Sequence, residues 1–186
     1  MGEMVFILGG ARSGKSSFAM KLAGERSDAS FLPLTYIATA QAYDEEMRVR
    51  IAKHREDRPA TVRTIEEPLY VGSALMALGE SVCLIDCLTL LMSNIMYATP
   101  DFDSSIPEKR ATAEDAVQDE VDRIITGCRE HTGDVIIVSN DVGVGVVPPY
   151  PDARLFQDIA GRAHQAIAAA SSSVYYMVSG IPVKIK

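Results

Sequence analysis

The sequence predicts an α/β fold, a mostly parallel β-sheet flanked by helices. Five short apolar runs, at residues 4–8, 34–38, 82–86, 134–139 and 174–179, have the length and composition of strands buried on both faces. Helical segments separate them, and strands alternating with helices imply a parallel sheet with right-handed crossovers. Directly after the first run stands GGARSGKS, Gly9 to Ser16, which fits G-x-x-x-x-G-K-[ST] in the required order of strand, glycine loop and helix. The expected fold is therefore of the P-loop NTPase-like kind. A chain of 186 residues has room for one such unit but not comfortably for two, and no linker or repeat divides it, so residues 1–186 are expected to form one domain.

In the glycine loop, successive backbone N–H groups can turn toward a polyphosphate. Lys15 can reach its outer phosphates, and the Ser16 hydroxyl can ligate Mg²⁺. The helix expected over 15–25 points its positive end at the same anion. The alternative is a glycine turn that only packs helix on sheet.

After the second strand, Arg48, Arg50, Lys53, Arg55, Arg58 and Arg63 gather six of the 18 Lys and Arg of an acidic chain. Tyr43, Met47 and Ile51 recur every four residues, which predicts a helix with a buried face. His54 follows Ile51 by three residues and is expected on that face, pointing toward protein. Spacing alone fits a histidine packed or capping near a helix end. The chemical alternative is a nucleophile or acid–base group aimed at a nucleotide's phosphates, with Arg55 and Arg58 neutralising charge. Residues 61–66 are a further candidate strand.

The run Val82-Cys83-Leu84-Ile85-Asp86 ends in a carboxylate. At the carboxyl edge of the sheet, Asp86 could hold Mg²⁺ directly or through water, or simply cap the helix expected over 87–96. Residues 99–108, with two prolines and several acids, read as a surface loop. Val117, Val121, Ile124 and Cys128 form the stripe of a helix over 112–129, which Gly133 and Asp134 punctuate.

A net charge of −7 argues against a nucleic-acid or anionic membrane partner, and no apolar stretch is long enough to span a bilayer. The first strand begins within four residues of the start, which leaves no room for a signal peptide. Cys83, Cys87 and Cys128 are too few and too irregularly spaced for a disulfide framework or a zinc site, so reduced thiols in the cytoplasm are expected.

GGARSGKS, YIATAQAYDEEMRVRIAKHREDRP, TIEEP, LIDCLTLLMSN, SNDVGVGVVP and VSGIPVKIK together resemble the bifunctional adenosylcobinamide kinase / adenosylcobinamide-phosphate guanylyltransferase family, in order and over nearly the whole chain. The resemblance implies two reactions in cobalamin assembly. GTP or ATP phosphorylates adenosylcobinamide. GTP then guanylylates an enzyme histidine, and the GMP passes to adenosylcobinamide phosphate to give adenosyl-GDP-cobinamide. It implies that His54 is the nucleophile. It maps nucleotide contacts onto Gly9, Gly10, Ala11, Arg12, Ser13, Gly14, Lys15 and Ser16, the turn Ala38, Thr39 and Ala40, then Arg55, Glu56, Asp57, Arg58, Glu66 and Asp86. Lys15 joins His54 as catalytic, and Ser16 and Asp86 are the expected Mg²⁺ ligands. A homo-oligomer, a trimer, is implied as well. Three departures stand out: Asp141 where the family usually has Glu, Gln157 for Arg and His164 for Asn, in a region expected to face substrate.

Other classes fit less well. A regulatory GTPase needs an Asn-Lys-x-Asp motif, which is absent, and Asp158-Ile159-Ala160-Gly161 matches D-x-x-G only inside an apparent helix. A plain small-molecule kinase, or a non-catalytic nucleotide-binding module, would share the loop but would carry no GMP on His54.

Overall fold

The computed structural model describes residues 2–56 and 58–186. Its elements are β1 (Met4–Gly9), α1 (Lys15–Ser30), β2 (Leu34–Ala38), α2 (Glu45–Glu56), β3 (Arg63–Glu66), α3 (Val71–Met76), β4 (Val82–Asp86), α4 (Leu88–Ala98), α5 (Pro107–Glu130), β5 (Val135–Asn140), α6 (Pro151–Ala170), β6 (Ser173–Val178) and β7 (Ile181–Lys184). The strands form one sheet in the order β3-β2-β4-β5-β1-β6-β7. Every pairing is parallel except β6 with β7.

Strand alternation divides the core between the two faces of the sheet. Phe6, Cys83, Ile85, Val135 and Ile137 pack with residues of α3, α4, α5 and α6. Val5, Ile7, Leu84, Ile136 and Val138 pack on the other face with Ala19 and Ala23 of α1. All five expected strands are present within a residue or so, and the segment 61–66 yields the edge strand β3. Among the described residues, no helix is long and apolar enough to cross a membrane.

Four expectations shift. Helix α1 runs to Ser30 rather than Glu25, because nothing breaks it before Phe31 takes the left-handed conformation with φ 58°. Helix α5 begins at Pro107, so the expected loop 99–108 is shorter by two residues. Proline at the first helical position lacks only an N–H that would have had no partner. The short helix α3 and the strand β7 were not expected. Between β6 and β7, Ser179 (φ 49°) and Gly180 (φ 85°) both have positive φ, as a two-residue hairpin turn requires.

The larger correction concerns α2. Asp44 caps it, its Oδ1 accepting from the Met47 N–H at 2.7 Å, so Tyr43 lies outside the helix and is exposed. No residue of α2 is buried, and His54 is exposed rather than turned into protein. Met47 and Ile51 are half-covered: the helix lies over a cavity, not on the core.

Candidate active site

The glycine loop leaves β1 and turns into α1 with Gly14 at φ 91°, a conformation that glycine adopts without steric cost. The β6–β7 turn braces it, as the Gly180 N–H donates to the Ser13 carbonyl at 2.9 Å. Lys15 is buried at 6% exposure, with Nζ donating to the Gly10 carbonyl at 2.5 Å. Burial lowers the pKa of its amine below the ordinary lysine value. The Cys87 and Asp86 side chains oppose that shift, and the charge of Arg50 adds to it.

Asp86 ends β4, at the carboxyl edge of the sheet, one strand removed from β1. Its Oδ2 accepts from the Tyr36 hydroxyl at 2.8 Å. The Arg58 guanidinium sits over the face of that tyrosine's ring, 3.7 Å from the centroid. Burial raises the Tyr36 pKa, and Asp86 raises it further, so the phenol stays a donor. Arg58, Tyr36 and Asp86 thus form a stacked and hydrogen-bonded line from the segment after α2 to the carboxylate.

The expected contact turn behaves unevenly. Thr39 is fully buried, and its hydroxyl both accepts from the Cys87 N–H and donates to the Cys87 carbonyl, each at 2.8 Å. This locks β2 to β4 and leaves the Thr39 side chain unavailable to a ligand. Ala38 is buried in the core, whereas Ala40 lines a cavity of about 460 Å³. Arg48, Ile51, Ala52 and Arg55 of α2 roof that cavity, and Glu66 and Pro68 border it. An ion pair between Arg55 and Glu66 spans it.

His54 is absent from the cavity lining. It lies four residues after Arg50, on the same flank of α2, and the Arg50 charge is felt at Lys15. The neighbouring face of α2 roofs the cavity. Arg12 is exposed, with φ 56°, and Glu56 ends α2 in solvent. Asp57 lies outside the described residues.

Asn94 is a buried amide in the apolar helix α4 that sequence reasoning missed. Its Nδ2 donates to the Thr39 carbonyl at 2.8 Å and to the Pro68 carbonyl at 3.1 Å, and its Oδ1 accepts from the Tyr43 hydroxyl at 3.1 Å. One side chain thus ties together three segments around the cavity. A polar residue inside LTLLMSNIM was the available signal, since buried amides require partners.

The departures expected to face substrate turn mostly inward. Gln157 Nε2 donates to the Val142 carbonyl at 2.7 Å. His164 bonds the Ser139 hydroxyl at 2.8 Å, with its ring 5.7 Å from that of Phe6. Burial lowers its pKa to about 4. Asp141 stays at the sheet edge, where it accepts from the Tyr176 hydroxyl at 3.0 Å.

A glycine loop between first strand and first helix, a buried lysine folded into it and a carboxylate at the carboxyl edge of a parallel sheet define a P-loop nucleotide-binding protein. A solved structure from Pyrococcus horikoshii OT3, a structural study of Project ID PH0250, shares the fold with a TM-score of 0.52 at 11% identity, covering 99% of this chain and 86% of that one. The sequence matches the family described as cobinamide kinase / cobinamide phosphate guanyltransferase over residues 5–185. It is 38% identical to the bifunctional adenosylcobalamin biosynthesis protein CobU of Salmonella typhimurium, covering 98% of this chain and 99% of that protein. It is 42% identical to the bifunctional adenosylcobalamin biosynthesis protein CobP of Pseudomonas aeruginosa, covering 97% and 95%. The chain belongs to the cobinamide kinase / cobinamide phosphate guanyltransferase family.

Proposed function

We propose that this protein phosphorylates adenosylcobinamide at the expense of GTP or ATP and then guanylylates the product, with His54 as the covalent carrier of GMP. The observation that carries the proposal is the pairing, within one chain of this family, of a phosphate loop with a cationic helix that presents an exposed His54. In the guanylyl step an imidazole nitrogen of His54 attacks the α-phosphorus of GTP, and pyrophosphate leaves. A phosphate oxygen of the acceptor then attacks the same phosphorus, and the N–P bond breaks. A phosphoramidate is reactive enough to guanylylate so weak a nucleophile.

The loop amides and Lys15 stabilise charge on the phosphates in both steps. Exposure of His54 supports the carrier role, because the imidazole must meet two reactants in turn. Ala40, Arg55 and Glu66 around the cavity are the reading's candidate contacts for the rest of the nucleotide, and Arg58 positions Asp86 through Tyr36.

The donors fit Mg²⁺. Ser16 Oγ is a hard oxygen, and among the described residues only Oδ2 of Asp86 accepts a protein hydrogen bond. Ser16 and Asp86 would hold the ion, which when bound neutralises phosphate charge. We further propose a homo-oligomer, a trimer. The exposed Ile181 and Val183 of β7 support self-association.

Incubation with adenosylcobinamide, GTP and Mg²⁺, followed by mass analysis of the corrinoid, tests the reading. Adenosyl-GDP-cobinamide is the expected product. Accumulation of the phosphate alone would reduce the protein to a kinase.

A further inference from the structure

The kinase half-reaction needs a group to take the proton from the acceptor alcohol. We infer that Asp141 is that group, an inference that rests on the function proposed above.

Asp141 directly follows β5, the strand that lies beside β1. In the register of these strands Asn140 stands opposite Gly9, and the Asp141 N–H donates to the Gly9 carbonyl at 2.9 Å. Its backbone is therefore bonded to the first residue of the glycine loop, and Lys15 Nζ is bonded to the second. Two neutral donors hold the carboxylate. The Tyr176 hydroxyl donates to Oδ2 at 3.0 Å and the Gly143 N–H to Oδ1 at 3.2 Å. Each oxygen retains a lone pair.

Among the described residues no lysine or arginine forms a salt bridge with Asp141. An unneutralised carboxylate beside a polyphosphate cradle is electrostatically costly, and a role in proton transfer accounts for it. Of the other carboxylates that end strands at this edge, Asp86 is assigned above to the metal ion and Glu66 pairs with Arg55. Asp141 opens a loop whose valines Val144, Val146 and Val147 are all exposed, so the segment that follows it is a surface that an external acceptor can reach.

In the step, the acceptor oxygen attacks the γ-phosphorus as its proton passes to the Asp141 carboxylate. The bond from the γ-phosphorus to the β–γ bridging oxygen breaks, and the nucleoside diphosphate leaves with that electron pair. Asp141 then gives its proton to water. Guanylylation of His54 involves no alcohol and makes no demand on this carboxylate.

The test compares Asp141→Asn and Asp141→Glu with the wild-type protein in two assays: phosphorylation of adenosylcobinamide, and formation of GMP-labelled protein from GTP. The expected result is a kinase rate lower by roughly 100-fold or more in the asparagine variant, labelling within a few-fold of wild type, and substantial recovery with glutamate. An unchanged kinase rate in Asp141→Asn would overturn the inference. If that variant loses both activities, Tyr176→Phe decides: a loss confined to the kinase supports the assignment, and an equal loss in both overturns it. Absence of kinase activity in the wild-type protein would instead defeat the underlying functional reading.

Discussion

The Arg58 guanidinium lies 3.7 Å from the centroid of the Tyr36 ring, and the hydroxyl of that ring donates to Asp86 at 2.8 Å. This stack ties the segment after α2, which carries His54, to the carboxylate at the sheet edge.

Tyr36→Phe removes the hydroxyl and keeps the ring under Arg58. The lost hydrogen bond is to a charged group, so we expect destabilisation of about 1.5–3 kcal/mol, read as a lower urea midpoint, together with a several-fold fall in kcat. Tyr36→Leu also removes the stack and should cost more on both measures. Equal stability of the Tyr36→Phe variant and the wild-type protein would show that the bond contributes nothing.

Asn94→Leu leaves the Thr39 and Pro68 carbonyls without their donor. Each unsatisfied buried group costs about 1–3 kcal/mol. Because Pro68 lines the cavity and Thr39 directly precedes its lining residue Ala40, the variant should also bind nucleotide more weakly. Thermal melting and GTP titration measure the two effects.

Glu66→Gln separates binding from stability. The Arg55–Glu66 pair has both side chains more than half exposed, at 55% and 57%, so its loss should move the melting temperature little. The expected change is a higher KM for GTP. A large drop in melting temperature with unchanged KM would make the pair structural.

His164 predicts a pH dependence. Its folded pKa of about 4 lies below the ordinary histidine value of 6.5, so between those pH values the unfolded chain binds more protons. Stability is full above pH 6.5 and falls as the pH drops toward 4, by at most about 3 kcal/mol from this group. His164→Asn should flatten that part of the urea midpoint–pH curve. An identical curve would place the acid sensitivity elsewhere.

The glycine loop was legible because its residues act locally: one strand, one turn and one helix carry the whole pattern. Asp86 was legible as the end of an apolar run. Its partner Tyr36 was not, because a tyrosine in a strand reads as core and the contact spans 50 residues. The exposure of His54 was missed because a four-residue spacing identifies a shared helix face but not what lies beneath it. Beneath this one is a cavity. Strand β7 was missed because Pro182 and its solvent exposure hide an edge strand, although Ser179-Gly180 marked the turn.

The central claim is that His54 carries GMP. Intact-protein mass after incubation with GTP and Mg²⁺, followed by acid and alkali treatment, tests it most directly. The account predicts one GMP adduct that is labile to acid, stable to alkali and absent from His54→Asn, which should still bind GTP. An adduct of equal yield in His54→Asn, or none on wild-type protein that demonstrably binds GTP, would contradict it.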